Sequence, residues 1–343
     1  MKQRTVRLAI AAAVMGFMLG MGLQAAAQTC TAGDDIDVST RTAIQNAANQ
    51  FFQMVQQGNT AALQQNSIQE VASNFSAVAT AVNEIKEPFA TAQATIKATY
   101  ELDNSPAPGS GQAFSGPTTQ HSGRLEFFCG IYNSPDRVAF VFDSLPPGKY
   151  AVVIMGVTTS KAPYLLSMIL QQENGQWKLA GFYPKAEQLA GHDPAWYVTQ
   201  ARQYKNSGQK LNSWLYYQVA YNMWQPFPAM NAPTLDKLYD EMQQVQPSDL
   251  GSGQPMQLNA GAQTYQVTSM FPTAVADALD VVVRYQLPDI SNTAKTFQDN
   301  TNVMKALVAQ YPQLREAFNG IVARAVAPNG QDYGTLLAMK DIK

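Results

Sequence analysis

The chain has 343 residues, of which 46% are hydrophobic and 14% charged, so it is long and apolar enough to form two or three folded domains. Its net charge of −2 excludes the strongly basic surfaces with which proteins bind nucleic acid or anionic membranes. The same composition excludes intrinsic disorder over most of the chain.

The first 27 residues have the pattern of a secretory signal peptide that is cleaved on export. Lys2, Arg4 and Arg7 form a basic start, residues 8–23 are apolar, and alanines follow. The apolar run is shorter than the roughly 20 residues that span a bilayer, which disfavours the alternative of a retained membrane anchor. We therefore predict an exported protein, periplasmic or secreted. Its mature chain loses the basic start and has a net charge of −5.

The mature chain keeps both cysteines, Cys30 and Cys129. In an exported protein an even number of cysteines indicates a disulfide bond. This bond would close a loop of about 100 residues, which corresponds to roughly 4–5 kcal/mol in the chain-entropy model. Two unpaired thiols are one alternative. Lipidation of Cys30 is another, although the polar Gln28 does not suit a lipid-attachment site.

The N-terminal part of the mature chain is predicted to consist of helices followed by strands. Apolar residues at helical spacing predict a first helix that is capped by Ser39 and ends at Gly58. Helices over 60–65 and 67–87 follow. Strands are predicted over 94–102, 124–132, 137–142, 150–157, 164–172 and 177–183. Residues 104–123 are rich in Ser, Pro and Gly, which predicts a long loop.

Two short motifs accompany these elements. The first helix ends in Gln57-Gly58-Asn59, and the closing hairpin turns at Asn174-Gly175 before Trp177-Lys178-Leu179. With these motifs and this order of elements, residues 38–185 resemble the nuclear-transport-factor-2-like superfamily. In that superfamily, helices pack into the concave face of a strongly bent antiparallel sheet. The resemblance therefore implies an α+β domain with a cone-shaped interior.

Residues 190–246 are predicted to form a helical connector. Asp193-Pro194 begins a first helix, a second ends near Pro226, and a third covers 233–245. Large and small residues alternate at Tyr197, Ala201, Tyr204, Gly208, Ser213, Tyr217 and Ala220. In this spacing, residues 193–226 resemble a single tetratricopeptide-like helical hairpin. Because one such unit cannot bury its own apolar face, we expect it to stack on a neighbouring domain.

A small α+β domain is predicted over residues 256–343, after a linker at 247–255 that contains Gly-Ser-Gly. Its predicted elements are strands at 265–270 and 279–286, a helix at 301–318, and strands at 321–327 and 333–339. Pro312 must kink or divide the helix, and Pro328-Asn329-Gly330 forms the last turn. The order of elements is therefore β-β-α-β-β, and it resembles no family that we recognise.

Residues capable of catalysis or metal binding are sparse. His121 and His192 lack neighbouring His, Cys or acidic residues at the spacing that a metal site or a catalytic triad needs. Glu126 lies inside an apolar predicted strand, and no motif gives it a catalytic role. The sequence therefore predicts no catalytic residue, no metal ligand and no cofactor.

Aromatic residues are concentrated on the predicted strands and on the connector helices. The candidates for lining a pocket inside the cone are Tyr100, Phe127, Phe140, Trp177 and Phe182. Core packing is the alternative role for the same residues. The connector carries Trp196, Trp214, Tyr216, Tyr217, Tyr221 and Trp224. Such an aromatic helical surface either packs on its neighbour or binds a peptide.

These features favour an exported, non-catalytic binding or interaction protein. Its ligand would be a protein partner at the helical and C-terminal parts, or a small apolar molecule in the cone. One alternative is an enzyme of the bent-sheet superfamily that acts on a small hydrophobic substrate, and another is a structural component of the cell envelope. A cone filled by its own aromatic side chains would count against the enzyme, and an exposed groove on the connector would favour the binding protein.

Overall fold

The computed structural model describes residues 28–106, 124–130, 134, 136–250 and 254–343. Over these ranges the chain combines helices with β-sheets, as an α+β protein does. The predicted signal peptide at 1–27, residues 107–123 of the predicted loop, His121 and residues 251–253 of the predicted linker lie outside the described residues. None of the helices in these ranges combines the length and the apolar character that crossing a membrane requires.

The N-terminal helices differ from the prediction at one cap and one break. They are α1 (Val38–Gln56), α2 (Thr60–Gln65), α3 (Gln69–Ser73) and α4 (Ser76–Phe89). Asp37 caps α1 in place of Ser39, because the Asp37 carboxylate accepts a hydrogen bond from the backbone N–H of Ser39 at 3.0 Å. The single helix predicted over 67–87 is divided at Asn74, whose backbone leaves helical geometry. This break directs Phe75 into the core, where 7% of it is exposed.

Most strands of the N-terminal part form one antiparallel sheet. The strands are β1 (Thr29–Ala32), β2 (Gln93–Asp103), β3 (Leu125–Cys129), β4 (Val138–Phe142), β5 (Lys149–Thr158), β6 (Pro163–Glu173) and β7 (Gln176–Ala186). The main sheet has the order β1-β2-β5-β6-β7. β1 is not predicted from the sequence, because a strand of this length carries too little alternation to be recognised.

Both faces of the main sheet are buried, which is evident from the alternation along β5. Ala151 and Val153 pack with Phe51 in a core that the N-terminal helices share with the sheet. Tyr150 and Val152 point the other way, into a second core. Successive side chains of a strand point to opposite faces, so β5 is the centre of two separate cores.

The second face is covered by a small sheet of order β3-β4-β8, in which β8 is Met230–Asn231. The resemblance implies one sheet for all the predicted strands, and for β3 and β4 this expectation is wrong. β4 pairs instead with β8, which follows residue 224 and precedes residue 233 in the predicted connector, through Phe140 opposite Met230. Periodicity shows which residues are buried, but it does not specify the partner strand.

A disulfide bond joins Cys30 to Cys129, with 5.1 Å between their Cα atoms. Cys30 lies in β1 and Cys129 in β3, so the bond connects the edge of the main sheet to the small sheet. The pairing predicted from the cysteine count is present in the structure. Because its sulfur is engaged in this bond, Cys30 has no free thiol to carry a lipid.

The connector helices are α5 (Pro194–Asn206), α6 (Lys210–Trp224) and α7 (Pro233–Val245). The bounds of α7 are those predicted. Asp193 caps α5, since its carboxylate accepts a hydrogen bond from the backbone N–H of Trp196 at 2.8 Å. After α6 the chain returns to the N-terminal part, where Phe227 enters the second core. The connector is thus anchored to the sheets that precede it.

The C-terminal part contains β9 (Met256–Ala260), β10 (Gln263–Val275), β11 (Ala278–Gln286), α8 (Thr293–Gln310), α9 (Leu314–Ala317), β12 (Gly320–Val326) and β13 (Asp332–Ala338). Its strands have the order β13-β12-β11-β10-β9, with β11 and β12 parallel and joined through α8. β9 is an additional strand, so the predicted order β-β-α-β-β is incomplete. The predicted helix at 301–318 starts earlier, at the Asn292 cap, and ends before Pro312.

The connector helices share one hydrophobic core with the C-terminal sheet. Leu215 of α6, Met270 of β10 and Leu307 of α8 belong to the same buried cluster. Tyr216 of α6 also donates a hydrogen bond to the carbonyl of Ala317 at 2.8 Å. One side of the connector is therefore covered by the C-terminal part, and the surface on its other side remains for binding.

Candidate binding groove

The predicted cone-lining aromatics do not surround a common pocket, because they belong to different cores. Tyr100, Phe127 and Phe140 lie in the core between the main and small sheets. Trp177 and Phe182 face the N-terminal helices on the opposite side of the main sheet. Phe127 and Phe140 lie in β3 and β4 of the small sheet, and Tyr100 lies in β2 of the main sheet but packs on the face opposite Trp177 and Phe182.

The core between the sheets is filled by aromatic rings. Phe227 stacks on Phe140 with 5.9 Å between ring centroids, and on Tyr183 with 5.4 Å. Tyr100 meets Phe140 edge-on at 5.1 Å. Such stacked and edge-on pairs are typical of packed interiors. These residues therefore act as core residues in the structure.

His192 and Glu126, to which the sequence gives no catalytic role, lie in separate elements of the structure. His192 stacks on Trp196 with 3.6 Å between ring centroids, next to the start of α5. The Glu126 carboxylate pairs with Arg124 at 2.8 Å on the surface of β3. In the part of the chain that the structure describes, no three His, Cys, Asp or Glu residues come together as a metal site would need.

A groove on the exposed side of the connector brings a different set of residues together. It has a volume of about 360 Å³, and α5, the end of α6 and α7 form its walls. The lining residues are Ala195, Val198, Thr199, Arg202, Trp224, Thr234, Lys237, Leu238 and Glu241. We call this cleft the helical groove.

The sequence of α7 explains why its polar residues face the helical groove. Leu235, Leu238, Met242 and Val245 recur at helical spacing and form its buried stripe. Residues 234, 237 and 241 recur at the same spacing along one edge of that stripe. The packing of the apolar stripe thus places Thr234, Lys237 and Glu241 along one wall.

Glu241 is the anionic residue of the groove, and its charge is neutralised within the groove. The Arg202 guanidinium donates two hydrogen bonds to the Glu241 carboxylate, at 2.9 and 2.7 Å. The Tyr217 hydroxyl donates a third at 2.7 Å. The hydrogen bonds from Arg202 hold the pKa of Glu241 below its ordinary value. The carboxylate is therefore fully engaged at neutral pH.

Lys237 and Trp224 are the lining residues whose binding capacity is unused. The Lys237 ammonium is exposed and forms no ion pair with any described residue. Trp224 ends α6 and has 41% of its surface exposed, which is unusual for an indole. An unpaired cation and an exposed aromatic ring thus share one cleft.

The C-terminal end of α6, which carries Trp224, is fixed by a lysine from the main sheet. Lys185 of β7 donates hydrogen bonds to the carbonyls of Asn222 and Gln225, both at 2.5 Å. A cation at this position satisfies carbonyls that a helix end leaves unpaired and interacts favourably with the helix dipole. Partial burial lowers the pKa of Lys185. This anchor holds Trp224 in place relative to the N-terminal sheet.

No family model, curated protein or solved structure matches this chain. The resemblances of residues 38–185 and 193–226 to known families therefore remain predictions. Trp224 is among the connector aromatics expected from the sequence, whereas Arg202, Lys237 and Glu241 are not predicted from it. The spacing of Lys237 and Glu241 on α7 is the sequence feature that could have identified them. The signal for Arg202 lies in a cross-helix pairing that helical periodicity does not reveal.

Proposed function

We propose that this chain is an exported binding protein that holds a carboxylate-bearing segment of a protein partner in the helical groove. The observation that carries the proposal is the presence of the exposed Trp224 ring and the unpaired Lys237 ammonium in the same cleft. Tryptophan is enriched among the residues that dominate protein interfaces, because it combines a large apolar area with few rotamers to immobilise.

The charge of the groove favours a carboxylate over a cationic group. Arg202 and Glu241 neutralise each other, so the Lys237 charge is left over. A partner carboxylate near Lys237 would form an ion pair, and a basic segment would be repelled. The apolar surface beside it belongs to Val198 and Leu238 at the floor and to Trp224. We therefore expect an acidic residue next to an apolar one in the bound segment.

The other parts of the chain support this role as a scaffold. We propose that residues 38–185 are a nuclear-transport-factor-2-like domain and that α5 and α6 are a single tetratricopeptide-like hairpin that presents the groove. Export is supported by the signal pattern of residues 1–27 and by a disulfide bond, which persists in oxidising compartments. A partner in the envelope or outside the cell follows from that location.

A binding role is better supported than an enzymatic one. An enzyme of the bent-sheet kind would need its cone aromatics to surround an open pocket. Instead Phe127 and Phe140 are fully buried among other rings. The exposed Trp224 ring and the unpaired Lys237 ammonium lie instead on the connector surface.

Photocrosslinking in intact cells tests the proposal. The full chain with its own signal is expressed with a benzoylphenylalanine crosslinker at position 199 on the groove wall. A matched chain carries the crosslinker at the exposed Tyr239, which is on α7 but does not line the groove. We expect a protein crosslinked at 199 but not at 239, attached through a segment that contains Asp or Glu. Lys237→Glu should abolish this product.

The proposal fails if both positions crosslink the same proteins or if position 199 captures no protein in the envelope. It also fails if Lys237→Glu leaves the product at 199 unchanged. Mass spectrometry of the crosslinked peptide is essential, because the acidic residue in the bound segment distinguishes a groove ligand from an abundant neighbour.

A further inference from the structure

Around Gln266 and Gln286, the outer face of the C-terminal sheet presents polar residues to solvent, whereas Phe271 and Leu336 are exposed elsewhere on the same face. Along β10, Tyr265 and Val267 enter the core shared with the connector helices, and Gln266 between them is exposed. Along β11, Tyr285 is buried and the adjacent Gln286 is exposed. This face is therefore the one that the helices leave to solvent.

Glutamines form a row across this face. Gln266 of β10 lies opposite Gln257 of β9 on one side and opposite Gln286 of β11 on the other. Adjacent strands are about 4.8 Å apart, so successive amides in the row are separated by a distance similar to the length of one sugar ring. None of these three side chains has a hydrogen-bond partner among the described residues. Their donors and acceptors are thus free.

Two of these glutamines line a cleft of about 730 Å³ at the end of the row. Gln263, Gln266 and Gln286 supply its amides, and Leu287, Pro288 and Val326 supply an apolar wall. None of the described residues that line it carries a charge. An uncharged cleft with free amides and an apolar wall fits an uncharged, hydrogen-bonding ligand.

The position of the cleft in the fold supports a ligand site. β11 and β12 are parallel, and the cleft lies at the carboxyl end of both, beside Leu287 and Ala327. Crevices at the carboxyl ends of parallel strands are the usual ligand sites of sheets with parallel strands. Topology and side-chain chemistry therefore point to the same place.

A neighbouring cleft of about 810 Å³ extends the site. The clefts share Pro288, Ala327 and Pro328. The carboxylates of the second cleft are already engaged: Asp332 accepts two hydrogen bonds from Arg324, at 2.8 and 2.9 Å, and Asp289 accepts from Ser291. The two clefts together offer a ligand a continuous lining, in which Asp332 is paired with Arg324 and Asp289 is hydrogen-bonded to Ser291.

We propose that this pair of clefts binds a neutral oligosaccharide. Hydroxyl groups donate and accept hydrogen bonds as amides do, and the C–H faces of a sugar pack on an apolar wall. A charged polymer would meet no complementary charge in the first cleft. The site is separate from the helical groove and does not depend on the function proposed for it.

Calorimetric titration of residues 28–343 tests this site. The probes are cellohexaose, maltohexaose and chitohexaose, with an acidic galacturonate hexamer and a neutral Gly-Ser peptide of similar length for comparison. We expect at least one neutral hexasaccharide to bind, with little dependence on salt. Gln266→Ala combined with Gln286→Ala should weaken binding by about tenfold or more, since two hydrogen-bonding amides are lost.

Gln257→Ala is the matched control, because Gln257 lies in the same row but does not line the cleft. The affinity of this variant for the hexasaccharide should stay within about twofold of that of the original chain. Both variants should unfold at the same temperature as the original chain, since these are surface substitutions. The proposal is overturned if no neutral hexasaccharide binds at millimolar concentration or if only the acidic hexamer or the peptide binds. It is also overturned if the double variant binds as well as the Gln257→Ala variant.

Discussion

The ring of Phe227 lies on the ring of Phe140, with planes 12° apart and centroids 5.9 Å apart. Phe227 follows the last turn of α6, and Phe140 belongs to the small sheet that covers the N-terminal main sheet. One stacked pair thus joins the connector to the part of the chain that precedes it. Since Trp224 is three residues before Phe227, the same contact helps to fix the helical groove.

Truncating this ring should destabilise the protein. Phe227 is 1% exposed, and Phe227→Ala would leave a cavity between the sheets, for which we expect a loss of about 3–5 kcal/mol in the free energy of unfolding. The control is Phe128→Ala on β3, because Phe128 is 56% exposed and should change stability by less than about 1 kcal/mol. Urea denaturation measures both, and equal effects would contradict the assignment of Phe227 to the core.

The disulfide bond should make a large contribution to stability. Cys30 and Cys129 are 99 residues apart, so the chain-entropy model gives roughly 4–5 kcal/mol for closing this loop. We expect the Cys30→Ser, Cys129→Ser variant to unfold at a lower urea concentration. Reduction of the original chain should give the same shift. If the urea midpoint of unfolding is unchanged in both experiments, the bond does not stabilise the folded state.

Gly320 at the start of β12 should not tolerate a side chain. A Cβ atom there would lie 2.7 Å from the Leu337 carbonyl oxygen of the neighbouring strand. Gly320→Ala should therefore lower the free energy of unfolding by about 1–3 kcal/mol. Gly334→Ala on β13 is the matched control, because its nearest neighbour would be an Arg324 side-chain atom at 3.7 Å. If the two variants have the same thermal unfolding midpoint, the close approach at Gly320 is refuted.

Asp280 should make stability depend on pH. It is 3% exposed, and burial raises the pKa of its carboxyl group above the ordinary value. The folded state therefore holds this proton more tightly than the unfolded state, and the resulting stabilisation is lost as pH rises through the folded-state pKa. Asp280→Asn should be more stable than the original chain at pH 7. This advantage should shrink as the pH falls toward about 4. An advantage that grows on acidification would contradict this account.

Local signals in the sequence predicted individual elements well. The bounds of α7 follow from Pro233 and an amphipathic stripe, and the start of α5 follows from Asp193-Pro194. Long-range pairing was not predictable in the same way. Phe140 pairs with Met230, 90 positions further along the chain, and no periodic pattern encodes that choice. The misplacement of Phe127 and Phe140 in a cone with Trp177 and Phe182 followed from it, and Tyr100 was misplaced because it packs on the other face of the main sheet.

The candidate site was predictable only in part. Exposed aromatic residues on the connector were expected, and Trp224 is among them. The importance of Lys237 depends on which other charges are neutralised. Arg202 reaches Glu241 from a different helix, so the sequence alone does not show that Lys237 is left without a partner. Charge pairing between helices is a tertiary property, and helical spacing reports only neighbours on the same helix.

The most direct test of the helical groove is the affinity for a synthetic peptide with the sequence of the segment crosslinked at position 199. Trp224→Ala should weaken binding by about 30-fold, which corresponds to roughly 2 kcal/mol for the loss of a central aromatic residue. Lys237→Gln should weaken it several-fold and reduce its dependence on salt. Tyr239→Ala, outside the groove, should leave the affinity unchanged. Equal affinities for all four chains would contradict the central claim that Trp224 and Lys237 bind the partner.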